Sequence, residues 1–169
     1  MHPGNTTEVK TRSSLCSKMN LNFKPAECSD LDVLMQYMED FHNFDHTEPF
    51  ARTPARAAME RVVTDKAIGR VWLIQQEKEA IGFAVMTIGY RLEYRGYYAF
   101  LDELYIRPDK RRQGIGTAAL TFLNTACQTL DICQLQLEVK NDNPGAIALY
   151  KKVGFQAQNR QILIARHKT

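Results

Sequence analysis

The stretch RPDKRRQGIGTAA, Arg107–Ala119, sets Arg107, Lys110, Arg111, Arg112, a proline and two glycines directly ahead of an apolar repeat. Ile115, Ala118, Ala119, Phe122, Leu123 and Ala126 recur at three and four residues, which predicts a helix running from the glycines to about Leu130. A helix start offers unpaired N–H donors and the positive end of the helix dipole. A basic, glycine-containing loop at that point therefore suits a polyanion such as a phosphate or pyrophosphate.

Working outward, YYAFLDELYIRP (Tyr97–Pro108) reads as a long strand that a proline ends. Before it lie VWLIQQ from Val71 and IGFAVMTIGY from Ile81, two apolar runs joined by the polar EKEA, the pattern of a hairpin. Two helices are expected earlier. One follows Ser29 and carries Leu31, Leu34, Met35, Met38 and Phe41; the other starts at Thr53–Pro54, carries Ala57, Ala58, Val62 and Val63, and ends near Lys66. MNLNFKP from Met19 is a first strand. Downstream, QLQLEV from Gln134 alternates as a half-buried strand, NPGAIALYKKVGF reads as an Asn-capped short helix stopped by a glycine, and ILIAR from Ile162 reads as a last strand. The order predicts a mixed α/β domain, with antiparallel strands first and a parallel strand–helix–strand crossover afterwards.

Composition narrows the function. The 169 residues are 44% hydrophobic and 24% charged, with a formal net charge of +3, which suits one ordinary globular domain. No apolar run approaches the ~20 residues of a membrane helix, so no membrane partner is expected. Lys110, Arg111 and Arg112 form the one dense basic cluster, too short a stripe for a nucleic-acid binder. Cys16, Cys28, Cys127 and Cys133 have neither paired zinc-ligand spacing nor a nearby activating histidine, so neither a metal site, a disulfide framework nor a cysteine nucleophile is indicated. Residues 1–18 are polar and without periodicity. They read as a loose tail with no secretory signal, ahead of a single domain over 19–169, and with reduced thiols a cytoplasmic location is expected.

Three phosphate-binding patterns compete for the quoted loop. GxxxxGK[ST] is absent. Gly114, Gly116 and Ala119 fit GxGxxA, with Glu138 suitably placed, but RPDKRRQ intervenes between the strand end and the glycines. Too little chain follows Glu138 to complete a dinucleotide fold. The third pattern is an acyl-CoA cradle: ELYIRPDKRRQGIGTAAL resembles the Arg/Gln-x-x-Gly-x-Gly/Ala motif of the GNAT superfamily of N-acetyltransferases, with Arg111, Gly114 and Gly116 at its defining positions. EVKNDNPGAIALYKKVGF resembles the family's second signature through Asn143, Tyr150, Gly154 and Phe155.

The resemblance implies a GNAT fold with a splayed parallel strand pair and about four helices. It also implies acetyl-CoA as cosubstrate and direct transfer of an acetyl group to a small-molecule or peptide amine. Leu104, Tyr105 and Ile106 would lie beside the pantetheine arm. Arg111, Arg112, Gln113, Gly114, Ile115, Gly116 and Thr117 would cradle the pyrophosphate, with Lys110 and Arg111 drawing its charge, and a backbone N–H near Tyr105 or Ile106 would receive the developing oxyanion. Tyr150 would protonate the leaving thiolate, although its apolar helix equally suits a packed tyrosine; Asn143 reads as a cap, a contact to the CoA chain, or both. Asp102 and Glu103 match acidic positions in the spermidine/spermine branch; strand neighbours point to opposite faces, so one of the two is expected to see the substrate, and Asp102 is the first choice of base from what stands two residues earlier. Phe100 stands where some histone-acetylating members carry their basic Glu. Glu39, Asp40, Asp45 and Glu48, with Phe41, Phe44 and Phe50, lie where the family builds its amine wall; His42 and His46 lack a third metal ligand. A homodimer is common in the family, and a non-catalytic acyl-CoA sensor of the same fold is the alternative to an enzyme.

Overall fold

The computed structural model describes residues 19–45, 49–165 and 167. Residues 1–18, Cys16 among them, and His46 and Glu48 lie outside the described residues, as do the side chains of Phe44 and Asp45. One five-stranded sheet, in the order β1-β2-β3-β4-β5, dominates the chain up to Glu138. Its strands are β1 (Leu21–Pro25), β2 (Gly69–Gln76), β3 (Glu79–Arg91), β4 (Gly96–Ile106) and β5 (Ile132–Gln136). The first four are antiparallel, and β4–β5 is the parallel pair. The hairpin is tighter than EKEA suggests: only Glu77 and Lys78 turn, both at positive φ (51° and 72°), as a two-residue turn matched to strand twist requires.

Three helices cover this sheet. On one face, α1 (Leu31–Asp45) and α2 (Arg52–Thr64) bury Leu34, Met35, Tyr37, Met59 and Val63 against Val71, Leu73, Phe83, Val85 and Tyr105. The other face takes α3 (Ile115–Thr129), whose Phe122 stacks on Phe23 at 4.3 Å and meets Trp72 edge-on at 5.5 Å. Ile115, Leu120 and Leu123 of α3 are fully buried, each contributing roughly 1.5–3 kcal/mol. Helix α2 starts one residue before the expected Thr53 cap. Ala51 takes the cap position without a side-chain bond, and Pro54 falls inside the first turn, where its missing N–H has no helical partner to lose.

A smaller compact unit begins at Val139 and holds α4 (Pro144–Lys152). Asn143 caps it as read from the sequence, its side-chain oxygen accepting the Ala146 N–H at 3.0 Å, and Pro144 takes the first helical position. Gly154 ends it at φ +100°, and the Phe155 N–H donates back to the Tyr150 carbonyl at 3.0 Å. The expected last strand does not form: residues 161–165 are irregular, with Ile162, Leu163 and Ile164 exposed. Its residue pattern suits a strand, but no described segment of this unit is a strand to pair with it, and a strand without a partner is not stable.

Candidate active site

The middle of β4 departs from regular pairing. Val85 pairs with Glu103 and Met86 with Leu101, so Asp102 is an extra residue, a β-bulge. Strict alternation, with one acid on each face, therefore fails here. Phe100 lies opposite Thr87, Glu103 opposite Val85 and Tyr105 opposite Phe83, all on the face that α1 covers, while Leu101 and Leu104 pair with Met86 and Ala84 on the α3 face. The bulged Asp102 lies beside the Thr87 hydroxyl, so both carboxylates turn to the α1 face.

Their environments differ. Glu103 has one carboxylate oxygen, Oε2, buried without a hydrogen-bond partner among the described residues. Burial, and after it the charge of Asp102, pushes its carboxyl up to about 7. Asp102 is also raised by burial and, to a lesser degree, by Glu138, while the Thr87 hydroxyl favours its charged form. Burial thus raises both carboxyls, and that of Glu103 reaches about 7.

Next along this face, the Tyr105 ring packs against Tyr37 at 5.4 Å, Phe83 at 6.1 Å and Phe41 at 6.2 Å. Burial pushes the Tyr105 phenol up, and the nearby Asp40 carboxylate adds to this. Tyr37 donates its hydroxyl to the Ala80 carbonyl, fixing α1 to the hairpin. Its place in this aromatic group was not singled out from the sequence, although it follows Leu34 by three residues on the buried helix face. Among the acids expected at the amine wall, Glu39 is held by Arg52 at 2.5 Å, and Asp40 accepts from Gln36 at 3.0 Å. His42 packs on Phe50 at 5.3 Å, and the described residues contain no cluster of potential metal ligands.

The last six residues of β4 have one strand neighbour. Pairing with β5 stops at Phe100–Gln136, so the parallel pair splays from Leu101 onward. The Tyr105 carbonyl points at β3, lying only 2.2 Å from where a Cβ on Gly82 would stand. Backbone groups alternate along a strand, so those of Leu104 and Ile106 point to the splayed edge. These, rather than Tyr105, offer main-chain hydrogen bonds there.

The loop after β4 makes a 3-10 turn, Pro108–Lys110, and then reverses through Arg112 at φ 63° and Gly114 at φ 85°. Gly114 is the N-cap of α3, where no side chain satisfies the first turn, so the N–H groups of Ile115, Gly116 and Thr117 remain available to an anion. Among the described residues, a Cβ built on Gly114 would meet only Met19 Sδ, at 3.7 Å. The donor set fits a pyrophosphate group. The loop's cations are largely engaged elsewhere. Arg107 pairs with Glu79 and Asp109, Lys110 donates to Gln76 Oε1 at 3.0 Å, and Arg111 Nε donates to the Ile106 carbonyl at 2.9 Å. Gln113 returns to the Asp109 carbonyl at 3.1 Å and Ile115 is buried, so both face the cradle through backbone alone. Among the described residues, Arg112 is the loop cation without an ion pair or hydrogen bond. Lys110 and Arg111 thus keep their positive charge while a hydrogen bond from each ties the loop to the strands.

In the unit from Val139, Tyr150 sits on α4 with its ring edge-on to Phe155 at 5.8 Å, and burial pushes its phenol up. Cys127 is buried, its thiol raised to about 12, which excludes it as a thiolate nucleophile.

The model of the Acetyltransferase (GNAT) family matches residues 34–155, spanning α1, the splayed β4, the glycine cradle and α4. The chain belongs to that family. It is 30% identical over 118 residues to a peptidyl-lysine N-acetyltransferase, YjaB, of Salmonella typhimurium strain LT2, covering 69% of this chain and 71% of the relative. A thialysine N-epsilon-acetyltransferase of Mus musculus is 25% identical over 141 residues, 79% of this chain and 81% of its own length. Among solved structures, an integron cassette protein from the mobile metagenome of Cole Harbour Salt Marsh, HFX_CASS3, superposes with a TM-score of 0.78 at 27% identity, covering 89% of this chain and 91% of the other. The mixed five-stranded sheet with a parallel pair and four α-helices is the GNAT architecture expected from the sequence. No described helix is long and apolar enough to cross a membrane.

Proposed function

We propose that this GNAT member transfers an acetyl group from acetyl-CoA directly to a primary amine, with Glu103 as the general base. The observation that carries this is the buried, unpartnered Glu103 oxygen, set by the Asp102 bulge on the α1 face, with its carboxyl pushed up to about 7. An alkyl ammonium must lose a proton before it can attack a carbonyl, and a carboxylate poised near the working pH is well matched to accept it.

Acetyl-CoA supplies the activated thioester. The N–H groups of Ile115, Gly116 and Thr117, with Arg112 beside them, hold its pyrophosphate. The splayed edge at Leu104 and Ile106 receives the pantetheine arm, and an N–H fixed on that edge stabilises negative oxygen charge as it develops. Tyr150, at the tyrosine position of the second GNAT signature, supplies a proton to the departing thiolate, since a raised phenol stays protonated at neutral pH. Asp102 keeps Glu103 basic through its charge. The Asp40 carboxylate, near Tyr105, favours a cationic acceptor by its charge. The relatives named for peptidyl-lysine and thialysine acetylation support an amine of the lysine side-chain type.

The test is thiol release from acetyl-CoA across a panel of lysine peptides, thialysine, lysine, polyamines and aminoglycosides, with calorimetric CoA binding on the same preparation. Amine-dependent release, lost in Glu103→Gln with CoA binding retained, is the expected result. CoA binding with no release on any amine would replace the enzyme by an acyl-CoA sensor, and no CoA binding would remove the cradle assignment.

A further inference from the structure

In the family's motif the arginine three positions before the first glycine of the cradle reads as a phosphate ligand, and the geometry here assigns it a different task. Arg111 leaves the loop backward, toward β4. Its Nε donates to the Ile106 carbonyl at 2.9 Å, and its guanidinium carbon lies 5.8 Å from the centroid of the Tyr105 ring. Ile106 is the last residue of β4 and carries a carbonyl that β3 does not take up, because the adjacent Tyr105 carbonyl already points at β3. The side chain thus caps the splayed edge at its end. The ring it covers is the one that Tyr37 and Phe41 of α1 contact.

We propose that Arg111 is a positioning residue that fixes the end of β4 and the Tyr105 ring, linking the cofactor loop to the acceptor wall, and that it does not ligate the pyrophosphate. The inference rests on the acetyl-transfer reading for its acceptor half only. Two further features support the division of labour. The anion donors of the loop are backbone N–H groups, which need no side chain, and Arg112 carries the uncommitted charge. A planar guanidinium serves both contacts at once, one N–H donated in plane and one face laid on the ring. A lysine ammonium, a point charge on a flexible stem, cannot reproduce that pair.

The experiment compares wild type, Arg111→Lys, Arg111→Gln and Arg112→Gln by calorimetric CoA binding, near-ultraviolet circular dichroism and steady-state kinetics with the best amine. Both Arg111 variants are expected to keep the CoA dissociation constant within about threefold, to change the tyrosine dichroism, and to raise the amine KM about tenfold or more with a smaller change in kcat. Arg112→Gln is expected to weaken CoA about tenfold and leave the amine KM near wild type. A tenfold or greater loss of CoA affinity in both Arg111 variants overturns the proposal, because it makes Arg111 a phosphate ligand. So does an unchanged dichroism together with an unchanged amine KM, and so does a parallel loss of every property with a lowered Tm, which marks a residue needed for folding alone. Binding and dichroism are read whether or not any amine turns over. A wild type that binds CoA without turnover defeats the acetyl-transfer reading, while the Arg111 proposal is still decided on those two arms.

Discussion

Glu103→Gln separates a catalytic carboxylate from a buried structural one, because the same group that would accept a proton also makes the fold sensitive to pH. In the unfolded chain its carboxyl ionises at its ordinary 4.5, and in the fold at about 7. Between these values the folded state keeps a proton that the unfolded state has released, so stability falls as pH rises through the window. The contribution is complete below about pH 4.5, is lost progressively up to about pH 7, and stays lost above it. At ~1.4 kcal/mol for each pH decade the difference amounts to roughly 3 kcal/mol at pH 8. Glutamine keeps the shape and removes the ionisation.

The variant should therefore match wild type in Tm near pH 4.5 and exceed it by several degrees at pH 8, at ~2–4 °C per kcal/mol for a chain of this size. Its turnover should fall by about 10²–10⁴. Wild-type kcat/KM should rise through an apparent pKa near 7, a limb absent from the variant. Asp102→Asn should move that limb to lower pH, because a neighbouring negative charge is the second cause holding the Glu103 carboxyl up. Differential scanning fluorimetry from pH 4.5 to 8.5, run beside the rate profile, reads both effects. A Tm difference that does not vary with pH, or a wild-type profile flat between pH 6 and 8, would refute the reasoning.

Tyr150→Phe should lower kcat by about 10²-fold or more and leave calorimetric CoA affinity unchanged; near-normal kcat would remove the phenol from the mechanism. Gly114→Ala places a Cβ at φ 85° beside the uncapped helix start, so it should cost ~1–2 kcal/mol of stability and weaken CoA binding, read by thermal melting and calorimetry. Replacing Glu77–Lys78 by Asn-Gly relieves two positive-φ side chains in the β2–β3 turn and should stabilise the fold by up to ~1 kcal/mol without changing kcat, measured by urea unfolding.

The elements that the sequence revealed are those in which a local rule and the tertiary fold agree. The three-and-four repeat from Ile115 to Ala126 is the buried stripe of α3, Asn143–Pro144 is a cap followed by a first-turn proline, and Gly154 stops α4 at the positive φ of a helix-ending glycine. Where a partner elsewhere in the chain decides, the reading drifts. The strand expected from Gln134 through Val139 stops at Gln136, because its pairing with β4 ends there, and the residue pattern carries no mark of where two strands part. The segment from Ile162 has a strand's composition and no strand to join within its unit. Lys110 and Arg111 read as phosphate charge because a basic run is visible in one dimension. That their donors turn back to Gln76 and Ile106 is visible only in three.

The choice between the two acids turned on the same limit. Alternation in FLDEL gives Asp102 and Glu103 to opposite faces, and any argument from period two must then discard one of them. A single extra residue between Leu101 and Glu103 shifts the phase, so that Glu103 and Tyr105 fall on the same α1-covered face as Phe100, and the bulged Asp102 beside Thr87 turns to that face as well. The same bulge keeps Asp102 near enough for its charge to raise the Glu103 carboxyl. Deleting Asp102 would restore regular pairing with Leu101 still opposite Met86 and Glu103 still opposite Val85, so it would remove the neighbouring charge and leave Glu103 and Tyr105 on the α1 face. The irregularity that sequence periodicity cannot register is thus what turns two adjacent carboxylates to the face that Phe100 and Tyr105 share.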